Sequence, residues 1–203
     1  MNKDVRCDNL FCAPITIINT NIKNKEVLLK FCDFHDSYEN QILQCERSNQ
    51  LVNLKYFNSL VKEILDNFYL ANEKIYQYNF ENLKPFISSL WANKFYKGQN
   101  ISLHFHPNSW YSGVYYPYGT GDSKIIFENH IVNNTIDPPK KVANKLNSSS
   151  WEYKFDEETM IFFPSYMRHM TSIVIDDNPR ISFSFNIFLR GILSNTITQN
   201  LIL

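Results

Sequence analysis

The 203-residue chain reads as an α+β protein in which helices buttress a two-sheet β structure. Three patterns point there. Leu54, Phe57, Leu60, Val61, Ile64, Leu65 and Phe68 recur at helical spacing. From about residue 86 apolar residues alternate with polar ones, as Ile181, Phe183, Phe185 and Ile187 do. Turn signals, among them Gly119-Thr-Gly-Asp122 and Asp176-Asp-Asn-Pro179, separate the alternating runs.

In chain order, residues 10–20 read as a strand, with Pro14 near its start and Ile15, Ile17 and Ile18 after it. Residues 25–32 suit a short helix. The apolar stripe predicts an amphipathic helix over about 50–70, with Ser48 or Asn49 as its cap. Its apolar face is expected to pack on a sheet. Strands are then expected at 87–96, 101–106, 112–117, 124–128, 151–155, 159–163, 171–175 and 180–188. Trp151, Tyr153 and Phe155 share one face of their strand. The polar stretch 130–150, with Pro138, Pro139 and Ser148-Ser-Ser150, is expected to be a long loop.

Composition narrows the class. Hydrophobic residues are 44% of the chain and charged residues 20%, which suits a folded, soluble domain. Lys plus Arg and Asp plus Glu are both 20, so no bulk field attracts nucleic acid, and none is expected as a partner. No signal-like apolar core opens the chain and no stretch is long enough to span a bilayer. The expected location is therefore cytoplasmic, or the host cytoplasm for a viral protein. Cys7, Cys12, Cys32 and Cys45 all lie in the first quarter of the chain and lack paired Cys-x-x-Cys spacing. Reduced thiols are expected, with a zinc site of Cys7, Cys12, Cys32 and His35 as the alternative.

The residues that carry chemistry come later. If 101–106 is a strand, His104 and His106 leave one face while Ile101, Leu103 and Phe105 leave the other. Two adjacent imidazoles, with His169 available downstream, can hold a divalent metal. Arg180, Ser182, Ser184 and Asn186 share a polar strand face opposite the apolar one. Such a face directed inward needs a reason, and a bound carboxylate supplies one: a guanidinium matches it with two parallel hydrogen bonds.

The order His-x-His, then His169, then Arg180-x-Ser182 resembles the double-stranded β-helix oxygenases that use Fe(II) and 2-oxoglutarate. More closely, His104-Phe-His-Pro-Asn-Ser-Trp-Tyr-Ser-Gly-Val-Tyr-Tyr116, Phe163-Pro-Ser-Tyr-Met-Arg-His169 and Arg180-Ile-Ser-Phe-Ser-Phe-Asn186 resemble a family of 2-oxoglutarate-Fe(II) oxygenases common in marine bacteria and their phages. The strong resemblance covers 91–188. It implies a jelly-roll or cupin-like β-helix core at 86–190, N-terminal supporting elements at 1–85 and a tail at 191–203, all within one oxygenase domain over 1–203. It implies His104 and His169 as iron ligands and Arg180, assisted by Ser182, on the distal carboxylate of 2-oxoglutarate. Tyr115 or Tyr116 would contact that co-substrate, and Asn186 is placed with the cofactor-binding set. His106 stands where the family pattern has a carboxylate, and is favoured as third ligand over Asp122 or Glu128.

The implied activity is that of a dioxygenase. It consumes O2 and 2-oxoglutarate, releases succinate and CO2, and hydroxylates a small molecule or a protein side chain. Phe105, Trp110, Tyr111 and Tyr166 are candidates to line the pocket, and a homodimer is compatible with the chain. Two other readings stay open. Gly98 and the His pair, with Pro164 and His169, also match cupin motif spacing, which suggests a three-histidine dioxygenase without 2-oxoglutarate. The same scaffold could also be a binding module without metal.

Overall fold

The computed structural model describes residues 12–23, 25–36, 51–119, 121–129, 136, 138–154, 156–193 and 202. Among the described residues eight strands form two antiparallel sheets. They are β1 (Thr16–Asn19), β2 (Leu83–Phe95), β3 (Tyr111–Tyr116), β4 (Lys124–Glu128), β5 (Ser150–Lys154), β6 (Thr159–Pro164), β7 (His169–Thr171) and β8 (Arg180–Gly191). The five-stranded sheet has the order β1-β6-β3-β8-β2 and the three-stranded sheet β5-β4-β7. This is the double-stranded β-helix, with the helices α1 (Lys25–Asp36) and α2 (Asn58–Ala71) ahead of its core strands. No helix among the described residues is long and apolar enough to cross a membrane.

Alternation in the large sheet creates two unlike faces. Its outer face carries Leu90, Tyr111, Tyr115, Met160, Phe162, Phe183, Phe185 and Ile187. Leu28 and Cys32 of α1 and Leu60, Ile64 and Phe68 of α2 pack onto it. The inner face carries Val114, Tyr116, Ile161 and Phe163, which meet Ile125 and Phe127 of the small sheet. A bulge between Ile87 and Ser89 lets β2 keep both register and facing along its length.

Gly113 is required where it lies. A Cβ there would fall 2.4 Å from the Phe185 ring and 2.5 Å from the Ile161 carbonyl. The Phe185 ring therefore seats directly on the β3 backbone.

The stripe expected over 50–70 divides in three. Leu51–Asn53 and Lys55–Phe57 are 3-10 turns, and α2 begins only at Asn58. Leu54 has extended backbone (φ −88, ψ 128), interrupts the helix, and is exposed instead of joining the stripe. The expected caps Ser48 and Asn49 lie outside the described residues, as do Cys7, Cys45, Phe155 and much of 130–137. Cys32 is buried and Cys12 exposed. The strand expected at 171–175 lies earlier, at His169–Thr171, and Ile173 and Ile175 are exposed.

Glu158 fastens the N-terminal elements to the sheet. Its carboxylate accepts hydrogen bonds from Tyr115 Oη (2.7 Å) and the Ile22 N–H (3.3 Å) and pairs with Lys25 Nζ (2.6 Å). Tyr115 is thus engaged on the outer face, away from the cavity. Burial works against ionisation of Glu158, but the bonds from Lys25, Tyr115 and Ile22 outweigh it and hold its pKa below the usual carboxylate range. A carboxylate whose pKa is depressed by folding stabilises the fold above its unfolded pKa, and that contribution fades as pH falls through the folded value. Lys25→Met is therefore expected to lower the urea midpoint at about pH 7 and by clearly less at about pH 3. An equal loss at both pH values would show that the pair contributes nothing.

Candidate metal centre

The segment 101–106 is not a regular strand. It runs along β7 through paired backbone bonds between His104 and His169 (2.9 and 2.8 Å) and a bond from the Thr171 N–H to the Ile101 carbonyl (3.1 Å). Between those contacts this segment advances three residues while β7 advances two. The extra residue breaks the ladder and turns the Ser102 carbonyl toward its own histidine. His104 Nδ1 lies 2.8 Å from that carbonyl. The His106 N–H bonds to the Ser165 carbonyl at 3.1 Å.

His169 reaches the same place from the other side. Pro164 ends β6, and a turn closed by Met167 N–H to the Pro164 carbonyl (3.0 Å) delivers it to β7. His169 Nδ1 sits 3.0 Å from the Met167 carbonyl. A carbonyl only accepts, so Nδ1 carries the proton in both His104 and His169, and each Nε2 keeps its lone pair. His106 Nε2 lies 3.4 Å from His169 Nε2. Ring centroids are 4.3 Å apart for His104 and His169, 5.1 Å for His104 and His106, and 5.2 Å for His106 and His169. One nitrogen from each ring falls within 4.8 Å of the others, and no second cluster of this kind occurs among the described residues.

Burial, with the neighbouring imidazoles His169 and His104, holds the His106 pKa down at about 3. Burial likewise brings His169 to about 4, against an opposing bond to the Met167 carbonyl. Both rings are neutral near neutral pH, the form that binds a metal. Asp122 and Glu128 are elsewhere, paired with Lys154 (3.0 Å) and Arg168 (2.9 Å).

The cluster opens onto a cavity of about 460 Å³ between the sheets. Its aromatic wall is Trp91, Phe95, Tyr116 and Phe163. The four aromatics expected from sequence are not in it. Phe105 is 52% exposed and Tyr166 56%, while Trp110 and Tyr111 pack around Phe68 on the outer face. Of the tyrosine pair, Tyr116 lines the cavity and Tyr115 does not. Sequence reasoning missed Ser89, Trp91 and Asn93. Their signal was the alternation Ser89, Trp91, Asn93, Phe95 on β2.

Arg180, Ser182, Ser184 and Asn186 do share the inner side of β8. Arg180 is 1% exposed. Its Nη1 donates to the Ser172 carbonyl (2.9 Å), its Nη2 to Thr171 Oγ1 (2.8 Å), and its guanidinium lies 5.3 Å from the Phe95 ring centre. Burial lowers its pKa. Thr171, Phe95 and Ser182 line the cavity, so Arg180 stands at its back wall. Asn93 Nδ2 donates to Ser184 Oγ (2.9 Å) and lies 3.5 Å from Ser182 Oγ. Asn186 Oδ1 accepts from Ser112 Oγ at 2.8 Å.

Residues 89–186 match the model of a family described as "Putative 2OG-Fe(II) oxygenase". No curated protein matches the chain in sequence. Among solved structures, a Pseudomonas putida prolyl-4-hydroxylase is 14% identical, with 87% of this chain and 88% of that one covered and a TM-score of 0.52. The non-heme alpha ketoglutarate dependent epimerase SnoN from nogalamycin biosynthesis is 9% identical over 87% of this chain and 78% of its own, with a TM-score of 0.56. HygX from Streptomyces hygroscopicus, solved with iron bound, is 10% identical over 86% and 82%, with a TM-score of 0.54. These likenesses speak to the fold. Through residues 89–186, the stretch that carries the imidazole cluster, the chain is similar to the 2-oxoglutarate-Fe(II) oxygenase family.

Proposed function

We propose that the protein is an Fe(II)- and 2-oxoglutarate-dependent hydroxylase whose iron is held by His104, His106 and His169. The observation that carries this is the convergence of three imidazoles on a cavity backed by a buried arginine. Two nitrogens sharing a divalent ion at about 2.1 Å each stand roughly 3–3.4 Å apart, which suits the His106–His169 separation. Three nitrogen ligands leave coordination positions open for a co-substrate and O2. When bound, iron and 2-oxoglutarate supply oxidation of a C–H bond: R–H, O2 and 2-oxoglutarate become R–OH, succinate and CO2.

The chain's own residues position and shield. The Ser102 and Met167 carbonyls fix the tautomers and tilt of His104 and His169. Arg180 receives the distal carboxylate of 2-oxoglutarate, and Ser182 adds a hydroxyl donor beside it. Tyr116, whose phenol burial keeps protonated, closes the same end of the cavity and can donate to the co-substrate. Trp91 and Phe163 flank the imidazoles and keep bulk water from them. The whole chain, 1–203, is read as one catalytic unit acting in the cytoplasm on a small molecule or a protein side chain.

The test is metal content after anaerobic loading with Fe(II), followed by succinate formation with and without 2-oxoglutarate. One iron per chain and succinate that requires both are expected. The three-imidazole set also favours a second reading, a dioxygenase that needs no 2-oxoglutarate. Oxygen uptake independent of 2-oxoglutarate would select it. His106→Asp tests the third ligand. It restores the two-histidine, one-carboxylate pattern and is expected to retain iron at least as tightly as the parent protein. Iron affinity unaffected by both His106→Asp and His106→Ala would remove His106 from the ligand set.

A further inference from the structure

The polar end of the cavity beyond the imidazoles has a task of its own, on the reading that iron and 2-oxoglutarate occupy the site. Register puts Ser89, Asn186 and Ser112 side by side in one cross-strand row, and Trp91, Ser184 and Val114 in the next. Arg180 lies on the same strand as Asn186 but six residues away, roughly 20 Å of extended chain. A five-carbon dicarboxylate gripped by Arg180 is far shorter than that. His106, near the Trp91 ring at 5.5 Å, belongs between the two ends.

The Asn186 end is built to present donors. Ser165 and Ser112 hydroxyls lie 2.7 Å apart, and Ser112 donates to Asn186 Oδ1 at 2.8 Å. That bond fixes which way the amide faces, and leaves the protons of Nδ2 for an acceptor in the cavity. The Ser89 hydroxyl beside it both donates and accepts. Among the described residues no Asp, Glu or Lys lines the cavity. Three imidazole ligands, Fe(II), doubly charged 2-oxoglutarate and the Arg180 guanidinium sum to a single positive charge. A cationic substrate would leave water here for a place with no counter-charge, which is costly.

We infer that the Ser89–Asn186 end receives the prime substrate, a hydroxyl-bearing molecule without a cationic group whose carbon skeleton lies against Trp91, and that Asn186 does not contact 2-oxoglutarate. This replaces the co-substrate role that the sequence suggested for Asn186. A hydroxyl satisfies both partners, accepting from the amide and donating to the serine. Trp91 offers an apolar ring for the C–H face between them.

The test uses the full chain loaded with zinc(II), which is diamagnetic, and follows the Asn186 Nδ2 and Arg180 Nε resonances. 2-Oxoglutarate is added first, then matched six-carbon probes: glucitol, gluconate or glucamine. The expected result is that 2-oxoglutarate moves Arg180 and leaves Asn186 in place. Glucitol then moves Asn186 and saturates at concentrations about tenfold below those of glucamine, and Ser89→Ala raises its half-saturation several-fold. A shift of Asn186 by 2-oxoglutarate overturns the inference. So does glucamine binding as well as glucitol, or a failure of all three to move Asn186. A 2-oxoglutarate titration that moves neither resonance instead strikes at the proposed co-substrate site, while the probe series still judges the Asn186 end.

Discussion

Arg180→Ala is expected to weaken 2-oxoglutarate binding by about a hundredfold or more while iron is still retained. Truncating one partner of a desolvated, hydrogen-bonded charge pair typically costs about 2–5 kcal/mol, and every 1.4 kcal/mol is tenfold. Among the described residues no Asp, Glu, Lys or Arg side chain lines the cavity to take over. The substitution also removes the bonds to the Ser172 carbonyl and the Thr171 hydroxyl, so some loss of stability comes with it. Arg180→Lys separates the two effects. It keeps the charge but not the fork, and a lysine gives one direction of approach where the guanidinium gives two. KM for 2-oxoglutarate should therefore rise in the order wild type, Lys, Ala, with iron content level throughout. A KM unchanged in Arg180→Lys and Arg180→Ala, with both proteins folded, would end the assigned role.

His169→Ala is the second large effect. It is expected to leave the chain folded and to drop iron affinity by more than about a hundredfold, since removing even an outer partner of a metal ligand costs 10–100-fold. His169 is the most buried of the three, and its Nε2 lies 3.4 Å from that of His106. His169→Gln fills more of the vacated space and checks that the loss is not a packing effect. Metal analysis after desalting, beside a melting curve of each apo protein, decides it. Iron retained in both variants would displace His169 from the centre of the site.

Period-two patterning made much of this legible. β8 alternates from Arg180 to Ile187, so its apolar residues and its Arg180–Asn186 face separate cleanly on paper and in space. β4 lies where its alternation puts it, at Lys124–Glu128. The three imidazoles gather as the spacing suggested, although the strand argument for His104 and His106 does not hold. A one-residue irregularity at Ser102 does that work, and irregularity has no period. Phase was the other gap. Tyr115 and Tyr116 are equivalent in a string, and only the register of β3 against β6 and β8 decides which faces inward. Apolar runs misled where no partner covers them: Ile173 and Ile175 suggested strand, but β7 has ended before them. Phe105 and Tyr166 flank ligand positions in sequence and yet point to solvent.

The bare backbone at Gly113 has a consequence for how such a site can be tuned. One side of that peptide borders the reaction chamber and the other carries the Phe185 ring, which sits in the same packed cluster as Phe57 and Phe68. The partition between catalytic space and helix-packed core is thus a single peptide thick. Changes in side-chain size on the helical side can dent or relax the chamber from behind, without any substitution among the residues that meet the reactants.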